Sequence, residues 1–306
     1  MTDNALAPIL LFVYNRPQHT RRLLDSLLAN DECRLSSLYV YSDGARDEAS
    51  ASAVAEVRAI VHSVTGFARI EVIEREKNMG LATNVIDGVT TQVRAHGRVI
   101  VLEDDLVLSP FFLRFMNDAL SVYADEPRVG HIQACDFTGD PSLSDTFLIK
   151  FTGSWGWATW ERAWRHFNPD GKQLLARLEQ TRQTSRFDFN GAYRFTRMLR
   201  RQIAGKNNSW AIRWNASLFV DNILSLNVGR SLVANVGFDG SGTNCGGGNL
   251  YASNLAQHPI EVVKITPIEE NMEARRCFER YYRRNFGFWP RVKRRIIRTI
   301  HGDFRK

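Results

Sequence analysis

Short apolar runs alternate with segments of helical periodicity up to about residue 125. The runs at residues 8–14, 38–41, 70–73 and 99–102 are rich in β-branched and aromatic side chains, which is typical of buried strands. Between them, leucines and valines recur at a spacing of three to four residues, which predicts helices. This alternation predicts a mostly parallel sheet with right-handed crossovers and helices on both faces.

The second half of the chain is more aromatic and less regular. A helix is predicted over residues 111–123 and a short strand over 130–134, where we expect His131 to be a structural core histidine. Four of the seven tryptophans then fall between Trp155 and Trp164. Trp160 and Trp164 are one helical turn apart and predict core packing. Trp155 and Trp157 stand next to glycines, so they either pack a subdomain or form a platform on which a sugar ring stacks.

Three segments follow from this pattern. We expect residues 1–125 and 126–272 to form two halves of one α/β domain, and residues 273–306 to form a basic helical tail. A strand beginning near Ser231 leads into the glycine-rich stretch 237–248, which contains Asp239. Such loops are often merely exposed, but a loop with one acid beside a cleft can also close over a substrate and exclude water.

The net charge of +7 is concentrated in the tail. Residues 275–306 hold twelve Lys and Arg and two acids, while the rest of the chain holds 28 basic and 31 acidic residues. The body is therefore slightly acidic, which argues against a body that binds nucleic acid. The tail could be a solvated face, a nucleic-acid arm or an amphipathic helix on an anionic bilayer. Its interleaved aromatic residues and isoleucines favour the bilayer.

Targeting features are absent from the beginning of the sequence. The apolar run at residues 9–14 is too short for a signal-peptide core or a membrane span. The four cysteines are widely separated, so we expect reduced thiols and no zinc site. These features predict a cytoplasmic protein, with peripheral association at the inner-membrane surface through the tail.

Candidate chemistry gathers where the predicted strands end. Arg16 follows the first strand, Asp43 the second, and Glu103, Asp104 and Asp105 the fourth. In a parallel sheet these ends share one edge, which is where ligands bind. Neither a Gly-x-Gly-x-x-Gly motif nor a P-loop follows the first strand. An acid cluster at such an edge instead suggests a divalent cation that bridges carboxylates and a diphosphate.

With these residues in view, the chain resembles bacterial glycosyltransferases of the GT-A fold, in particular the group related to N-acetylglucosaminyltransferase I. The resemblance extends from Pro8 to about Cys245. It rests on residues 8–16, on Tyr41-Ser42-Asp43-Gly44, on 101–106 with 109–112, on Gly156-Trp157 with Trp164, and on 237–243. The Glu-Asp-Asp strand end in its apolar frame is the most specific of these segments.

The resemblance implies a division of roles within the acid cluster. Asp105 would ligate Mn²⁺ or Mg²⁺, Asp104 would contact the nucleotide ribose, and Glu103 would reach the donor sugar at the catalytic centre. The metal would neutralise the diphosphate leaving group as negative charge develops on it.

The resemblance also implies a donor site and an acceptor site around the acids. Arg16 and Asp43 would hold the uridine and phosphate end of the donor, with Asn84 beside the phosphates and Trp210 on the donor side. Trp155 and Trp157 would face the acceptor, a glycan or lipid-linked glycan. The implied function is transfer of a sugar, with inversion, from a UDP-linked donor such as UDP-GlcNAc in surface polysaccharide or lipopolysaccharide synthesis.

An inverting transfer also needs a base that deprotonates the attacking hydroxyl. In the eukaryotic relative an acid follows a tryptophan, whereas here Trp210 is followed by Ala211 and Ile212. Asp239 is therefore our candidate base, with Asp136 and Asp221 as weaker ones. Asn244 stands where relatives often carry a histidine, so the metal would depend on Asp105 and the diphosphate alone.

Two other functions remain open at this point. A sugar-phosphate nucleotidyltransferase also has a nucleotide-binding α/β sheet, but the chain lacks a glycine-rich loop bearing Arg or Lys after its first strand. A basic membrane-associated binding protein with an inactive domain is the other alternative.

Overall fold

The computed structural model describes residues 6–136, 138–237 and 255–287. The strands are β1 (Ile9–Val13), β2 (Ser37–Ser42), β3 (Arg69–Glu74), β4 (Arg98–Glu103), β5 (Leu106–Leu108), β6 (Val129–Gln133), β7 (Thr146–Ile149), β8 (Trp157–Trp160), β9 (Leu224–Val228) and β10 (Val233–Asn235). The helices are α1 (Pro17–Leu28), α2 (Glu48–Ser63), α3 (Leu81–His96), α4 (Phe112–Val122), α5 (Glu161–Trp164), α6 (Gly171–Gln180), α7 (Thr184–Phe187), α8 (Phe195–Ile203), α9 (Trp210–Val220) and α10 (Met272–Phe286), with a 3₁₀ helix at Asp31–Leu35.

Eight strands form one sheet in the order β3-β2-β1-β4-β8-β6-β9-β7. The strands β3, β2, β1 and β4 are parallel, as the alternation of strands and helices predicts. Val13 pairs with Ser42 and Phe12 pairs with Glu103. The carboxyl ends of β1, β2 and β4 therefore lie side by side, which brings the candidate residues of three separate segments to one edge.

The other half of the sheet is mixed. Strand β8 is antiparallel to both β4 and β6, β9 is parallel to β6, and β7 is antiparallel to β9. A mostly parallel sheet flanked by helices, with an aromatic-rich region, is therefore confirmed. The aromatic stretch itself contains a strand, β8, because its side chains are needed on both faces of the sheet.

Local sequence explains how two helices begin at the edge of the sheet. Pro17 is the first residue of α1, where its fixed φ suits a helix and its missing N–H is not needed. This places Arg16 directly between β1 and α1. Helix α3 begins after Gly80, whose φ of 75° strains any residue with a β-carbon. Gly80 thereby turns the chain so that the first residues of α3 face the strand ends.

A small second sheet pairs β5 with β10 in antiparallel register. Asp105 lies in the turn between β4 and β5, and its carbonyl accepts a hydrogen bond of 2.8 Å from the N–H of Val236. The chain that leaves β10 is therefore attached next to the acid cluster. The glycine-rich stretch from residue 238, with Asp239, Asn244 and Cys245, lies outside the described residues.

A second hydrophobic core is built from β7 and from helices α6 to α10. It is strongly aromatic, and Phe278 of α10 lies 5.6 Å from Phe151 and 6.1 Å from Phe189 between ring centroids. Tyr282 is also buried here, at 4% exposure. The basic tail that we predict from residue 273 therefore begins as a packed helix.

Packing accounts for part of the pattern from which we predicted membrane binding. The buried aromatic residues of α10 are core residues, so their spacing says nothing about a bilayer. Residues 288–306 lie outside the described part of the chain. They include the three isoleucines of the tail and seven of its twelve Lys and Arg. Among the described residues, no helix has the length and apolar character needed to cross a membrane.

Candidate active site

A cleft of about 910 Å³ opens at the shared carboxyl edge of β1, β2 and β4. One side is formed by these strand ends and the beginning of α3, and the rest by Trp155, α8 and the beginning of α9. Of the residues predicted for the site, the cleft is lined by Arg16, Asp43, Asn84, Glu103, Asp104, Asp105, Trp155 and Trp210. The structure thus brings together side chains from six separate segments.

The acid cluster has a cationic neighbour. Nη1 of Arg16 lies 3.5 Å from Oδ2 of Asp105 and 3.9 Å from Oδ1 of Asp104. All three side chains are at most 15% exposed, so solvent screens these ion pairs weakly. We predicted that Arg16 contacts the donor, and the structure shows in addition that it partly balances the acids.

One guanidinium does not balance three enclosed carboxylates. Burial, together with the charges of Asp105 and Asp104, raises the pKa of Glu103 well above its usual range. Burial and the nearby Asp105 raise the pKa of Asp104 to about 7, and burial also raises the pKa of Asp105, against the effect of Arg16. Enclosed like charges of this kind favour either a proton or an additional cation.

Asp105 fits a role as a metal ligand. Its Oδ1 is buried and has no hydrogen-bond partner of ordinary geometry among the described residues, although Asn235 lies near enough to the carboxylate to oppose the rise in its pKa, so a lone pair is left for a cation. No cluster of three or more His, Cys, Asp or Glu side chains with metal-site geometry occurs within residues 6–136, 138–237 and 255–287. The described chain therefore supplies few ligands, and a cation here would also need oxygen atoms from a bound molecule.

Gly237 fixes the position of the Asp105 carboxylate from the other side. A β-carbon at position 237 would lie 2.5 Å from Oδ2 of Asp105 and 2.9 Å from its Cβ, closer than an ordinary contact. Glycine is thus required for this close approach of the backbone. The end of β10 and the turn after β4 consequently hold the carboxylate between them.

Asp43 organises the loop that precedes α3. Its Oδ1 accepts hydrogen bonds from the N–H groups of Gly44 and Met79, at 2.9 and 2.8 Å, and its Oδ2 accepts one from Gly80 at 2.9 Å. Much of its bonding capacity is therefore used within the protein. Asp43 lines the cleft, and it also builds the cleft wall next to the beginning of α3.

Asn84 and Trp210 are held firmly at the edge of the cleft. Asn84, in the first turn of α3, is 2% exposed, and its Oδ1 accepts a hydrogen bond of 3.0 Å from Nε of Arg75. Trp210 begins α9 after the N-cap residue Ser209, and its ring stacks on Trp157 at 5.2 Å. Both side chains are pre-positioned, so they could bind a ligand with little loss of conformational entropy.

The prediction that Trp157 forms an acceptor platform is wrong. Trp157 is 0% exposed because it is the first residue of the central strand β8 and packs among three other indoles. A ring without a free face cannot stack on a sugar. Trp155, two residues earlier in the turn, is partly exposed and lines the cleft, so it remains a candidate.

The predictions of core residues near this cluster are confirmed. Trp160 and Trp164 are 4% and 6% exposed. His131 is fully buried, where its Nδ1 accepts a hydrogen bond of 3.1 Å from Nε1 of Trp214. Burial lowers the pKa of His131 to about 3, so it is a neutral structural residue.

Neither of the weaker candidates for the base belongs to the cleft lining. Both carboxylate oxygens of Asp136 accept hydrogen bonds from Thr138 and Gly139 in a tight turn. Asp221 follows α9 and pairs with His166 at 2.6 Å and with Arg177 at 2.7 Å. Both carboxylates are used for local structure. Asp239 lies outside the described residues and stays a prediction.

Five basic residues of the cleft lining were not predicted from the sequence, namely Arg46 after β2 and four basic residues near α8. The four near α8 lie just before, within and just after this helix, and they are Arg194, Arg197, Arg201 and Lys206. Basic residues are common on the solvated faces of helices, so a sequence alone did not distinguish these four. Their spacing of three and four residues does place the three arginines on one face of a helix, and that was the available signal.

Comparison with known proteins leaves the family open. No protein-family model and no curated protein sequence matches the chain. Solved structures with partial similarity include a mannosyltransferase from Pyrobaculum calidifontis in complex with GDP-Man and Mn²⁺, at 14% identity and a TM-score of 0.37. That match covers 57% of this chain and 47% of the mannosyltransferase, so it spans about half of its length.

Two further matches are similarly distant. Mouse xyloside xylosyltransferase 1 is 12% identical over 71% of this chain and 81% of its own, with a TM-score of 0.37. A putative glucose-1-phosphate thymidylyltransferase from Bacillus anthracis is 8% identical over 53% and 74%, with a TM-score of 0.31. Similarities at this level do not decide between these activities, so the argument for a function rests on the site.

Proposed function

We propose that the protein is a metal-dependent glycosyltransferase of the GT-A fold that transfers a sugar from a nucleotide-sugar to a hydroxyl of a glycan or glycolipid. The observation that carries this proposal is the enclosed carboxylate cluster at the carboxyl end of β4, inside a cleft of about 910 Å³. Three carboxylates and one arginine leave room for a cation, and a diphosphate is the ligand that would complete its coordination.

The roles in this proposal follow the placement of the side chains. Asp105, with its unpartnered Oδ1, would hold Mn²⁺ or Mg²⁺, which when bound would neutralise charge on a leaving diphosphate. Asp104 would bind the ribose and Glu103 the transferred sugar. The raised pKa of Glu103 allows it to donate a hydrogen bond to a sugar hydroxyl.

The donor would lie along the strand ends. Arg16, next to the acids, would bind phosphate oxygens, and the loop that Asp43 supports would hold the nucleoside. Asn84 would lie beside the phosphates and Trp210 beside the donor. We place the donor in the half formed by residues 1–125 and the acceptor in the half formed by 126–272, where Trp155 would stack on the acceptor sugar. Asp239 would be the base of an inverting transfer.

The finer details of this proposal come from the sequence resemblance. They are a UDP-linked donor such as UDP-GlcNAc, membership of the N-acetylglucosaminyltransferase I group, and a role in bacterial surface polysaccharide or lipopolysaccharide synthesis. The nucleotidyltransferase alternative is disfavoured because three residues, Tyr14 to Arg16, connect β1 to α1 and leave no space for a phosphate-binding loop.

Thermal unfolding with nucleotides provides the first test. UDP together with Mn²⁺ should raise the melting temperature, because a ligand that binds the folded state stabilises it by mass action. Asp105→Asn should abolish the increase, whereas Asp25→Asn, at an exposed position of α1 away from the cleft, should retain it. If UDP with either Mn²⁺ or Mg²⁺ leaves the melting temperature unchanged, the proposal is wrong.

Turnover provides the second test. A panel of nucleotide-sugars should show slow hydrolysis of one donor, and this hydrolysis should require a divalent cation. Formation of a nucleotide-sugar from UTP and a sugar 1-phosphate would instead support the nucleotidyltransferase. Asp239→Asn should lower transfer to a good acceptor strongly, and near-normal turnover would remove Asp239 as the base.

A further inference from the structure

The basic residues around α8 form a wall of the cleft that the proposed donor site does not use. We define this basic wall as Arg194, Arg197, Arg201 and Lys206, which all line the cleft and are all exposed. Arg194 precedes α8, the other two arginines lie at four-residue spacing within it, and Lys206 follows it. The other face of α8 is buried in the second core through Phe195, Thr196 and Leu199, so the helix cannot rotate its charges away.

The charges of the basic wall are only weakly compensated among the described residues: burial raises the pKa of Asp188 and Arg194 opposes this effect, but at longer range than an ion pair. Among the described residues, no carboxylate lies within 4.0 Å of these four cations, whereas Arg200, on another side of α8, pairs with Glu179 at 2.9 Å. Like charges at i and i+4 oppose helix formation. The charged face of α8 therefore does not stabilise the helix, and it is suited to bind an anionic ligand in the cleft.

The basic wall is separate from the acid cluster. Arg16 already supplies a cation within 4.0 Å of Asp104 and Asp105, and none of the four residues of the wall does so. Tyr193 and Met198, the sequence neighbours of Arg194 and Arg197, line both the main cleft and a smaller cavity of about 230 Å³, and so does Trp155. Partly exposed aromatic residues and a set of cations thus line the same cleft, and they come from a later part of the chain than the proposed donor residues at the strand ends.

This combination matches a sugar that carries a phosphate. Aromatic rings such as those of Trp155 and Tyr193 stack on the apolar face of a sugar. One guanidinium group can bind two phosphate oxygens at once, and a doubly charged phosphate can bind more than one guanidinium group. A single carboxylate is already satisfied by one arginine, so a wall of three arginines and one lysine favours phosphate.

We propose that the acceptor is a phosphorylated glycan, whose phosphate is bound by the basic wall while its sugar ring packs on Trp155. The identification of this ligand as the acceptor rests on the proposed function, but the binding of a sugar phosphate at α8 can be measured without turnover. The phosphate could be a terminal monophosphate or the phosphodiester of a lipid-linked glycan, because both present at least two non-bridging anionic oxygens, although the diester carries a single charge.

Calorimetric titration of the full chain tests this proposal. The protein is first saturated with UDP and Mg²⁺, so that the diphosphate position is occupied. It is then titrated with glucose 1-phosphate, with its decyl phosphodiester, with glucuronic acid and with methyl glucoside. We expect at least one of the two phosphates to bind clearly more tightly than the carboxylate and the neutral sugar, and to bind more weakly as salt is added. Preference for the diester identifies a lipid-linked source.

Matched arginine variants locate the binding. Arg197→Gln with Arg201→Gln should weaken sugar-phosphate binding by about tenfold or more, whereas Arg200→Gln, on the same helix, should leave it unchanged. The affinity for UDP should be the same in all three proteins. Circular dichroism of each variant verifies that α8 remains folded.

Several outcomes would overturn the proposal. In the titrations, these are equal affinity for glucuronic acid and the phosphates, or no binding of either phosphate. In the variants, one is a loss of sugar-phosphate affinity in Arg200→Gln equal to that in the double variant. Another is a loss of UDP affinity in the double variant, which would assign the wall to the donor. Failure of the proposed function has a different signature. UDP would then not bind, while the sugar phosphates could still be titrated against the double variant and its control.

Discussion

Gly237→Ala tests whether the position of the Asp105 carboxylate matters for activity. The new β-carbon would lie 2.5 Å from Oδ2 of Asp105, where an ordinary contact begins at 3.4 Å. The carboxylate or the end of β10 must therefore move by about 1 Å. The φ of Gly237 is outside the left-handed region, so alanine adds this contact without backbone strain.

The expected effect is large for turnover and small for stability. A misplacement of about 1 Å at a catalytic group can cost about a hundredfold in rate, which corresponds to about 2.7 kcal/mol of lost transition-state stabilisation. We expect kcat/KM for nucleotide-sugar hydrolysis to fall by about this factor. We also expect the melting temperature without ligand to change by a few degrees at most, because the clash is local and at the surface of the cleft.

A second glycine provides the matched control. Gly171, the first residue of α6, would bring its β-carbon 2.3 Å from Oε1 of the flexible Gln202 and 3.0 Å from Ile203, both of which lie on α8 and away from the acid cluster. Gly171→Ala should therefore keep both activity and metal-dependent UDP binding. If Gly237→Ala hydrolyses the donor at the wild-type rate and retains the stabilisation by UDP and Mn²⁺, the position of the Asp105 carboxylate does not control the site and the reasoning is refuted.

Three further predictions concern the rest of the chain. The pKa of buried His131 is lowered to about 3, so as the pH falls this imidazole is protonated in the unfolded chain before it is protonated in the folded protein. The free energy of unfolding should therefore fall as the pH drops from about 6.5 toward 3. Urea titrations of His131→Gln should show a weaker dependence of the free energy of unfolding on pH. Glu270→Gln removes the carboxylate that lies 3.0 Å from the 2% exposed Arg275 and leaves this arginine with Glu279 at 3.5 Å; the change should cost about 1–3 kcal/mol in chemical denaturation, against under about 1 kcal/mol for the exposed Glu179→Gln. Truncation after Gly287 should release the protein from a membrane pellet if residues 288–306 bind lipid; unchanged partitioning would contradict the predicted membrane role.

The side of the cleft formed by the strand ends could be predicted from the sequence because it depends on local patterns. Each parallel strand is a short apolar run, and the residue after it must lie at the carboxyl edge of the sheet. Arg16, Asp43 and Asp105 could therefore be placed together without any knowledge of long-range contacts. The register of β1 with β2 and β4 brings them there.

The side of the cleft formed by Trp155 and α8 was predicted less well because its structure depends on packing between distant segments. Trp157 looks like an exposed residue next to a glycine, but β8 inserts between β4 and β6, and this buries it completely. The basic wall was missed for a related reason. A helix with many arginines is ordinary in sequence, and the cleft beside it exists because α8 packs against α6 and α9.

The tail shows how the same pattern can have two origins. Aromatic residues interleaved with arginines are compatible with a helix on a bilayer, and they are equally compatible with a helix whose one face packs in a protein core. Phe278 and Tyr282 belong to the second case. Composition does not distinguish the two cases, because burial of aromatic rings is favourable both in a bilayer interface and in a protein core.

The packing of α10 also has a consequence for the order in which the molecule folds. The parallel strands β1 to β4 come from one continuous part of the chain, so they can assemble early through contacts between near neighbours in sequence. The second core is different, because Phe278 of α10 completes an aromatic cluster whose other rings, such as Phe147 and Phe151, come from much earlier in the chain. During synthesis from the N-terminus, α8 therefore lacks a finished support until α10 has emerged. We expect the acidic edge of the cleft to be native before its basic wall, so that a nascent chain completes the strand ends first and the whole cleft last.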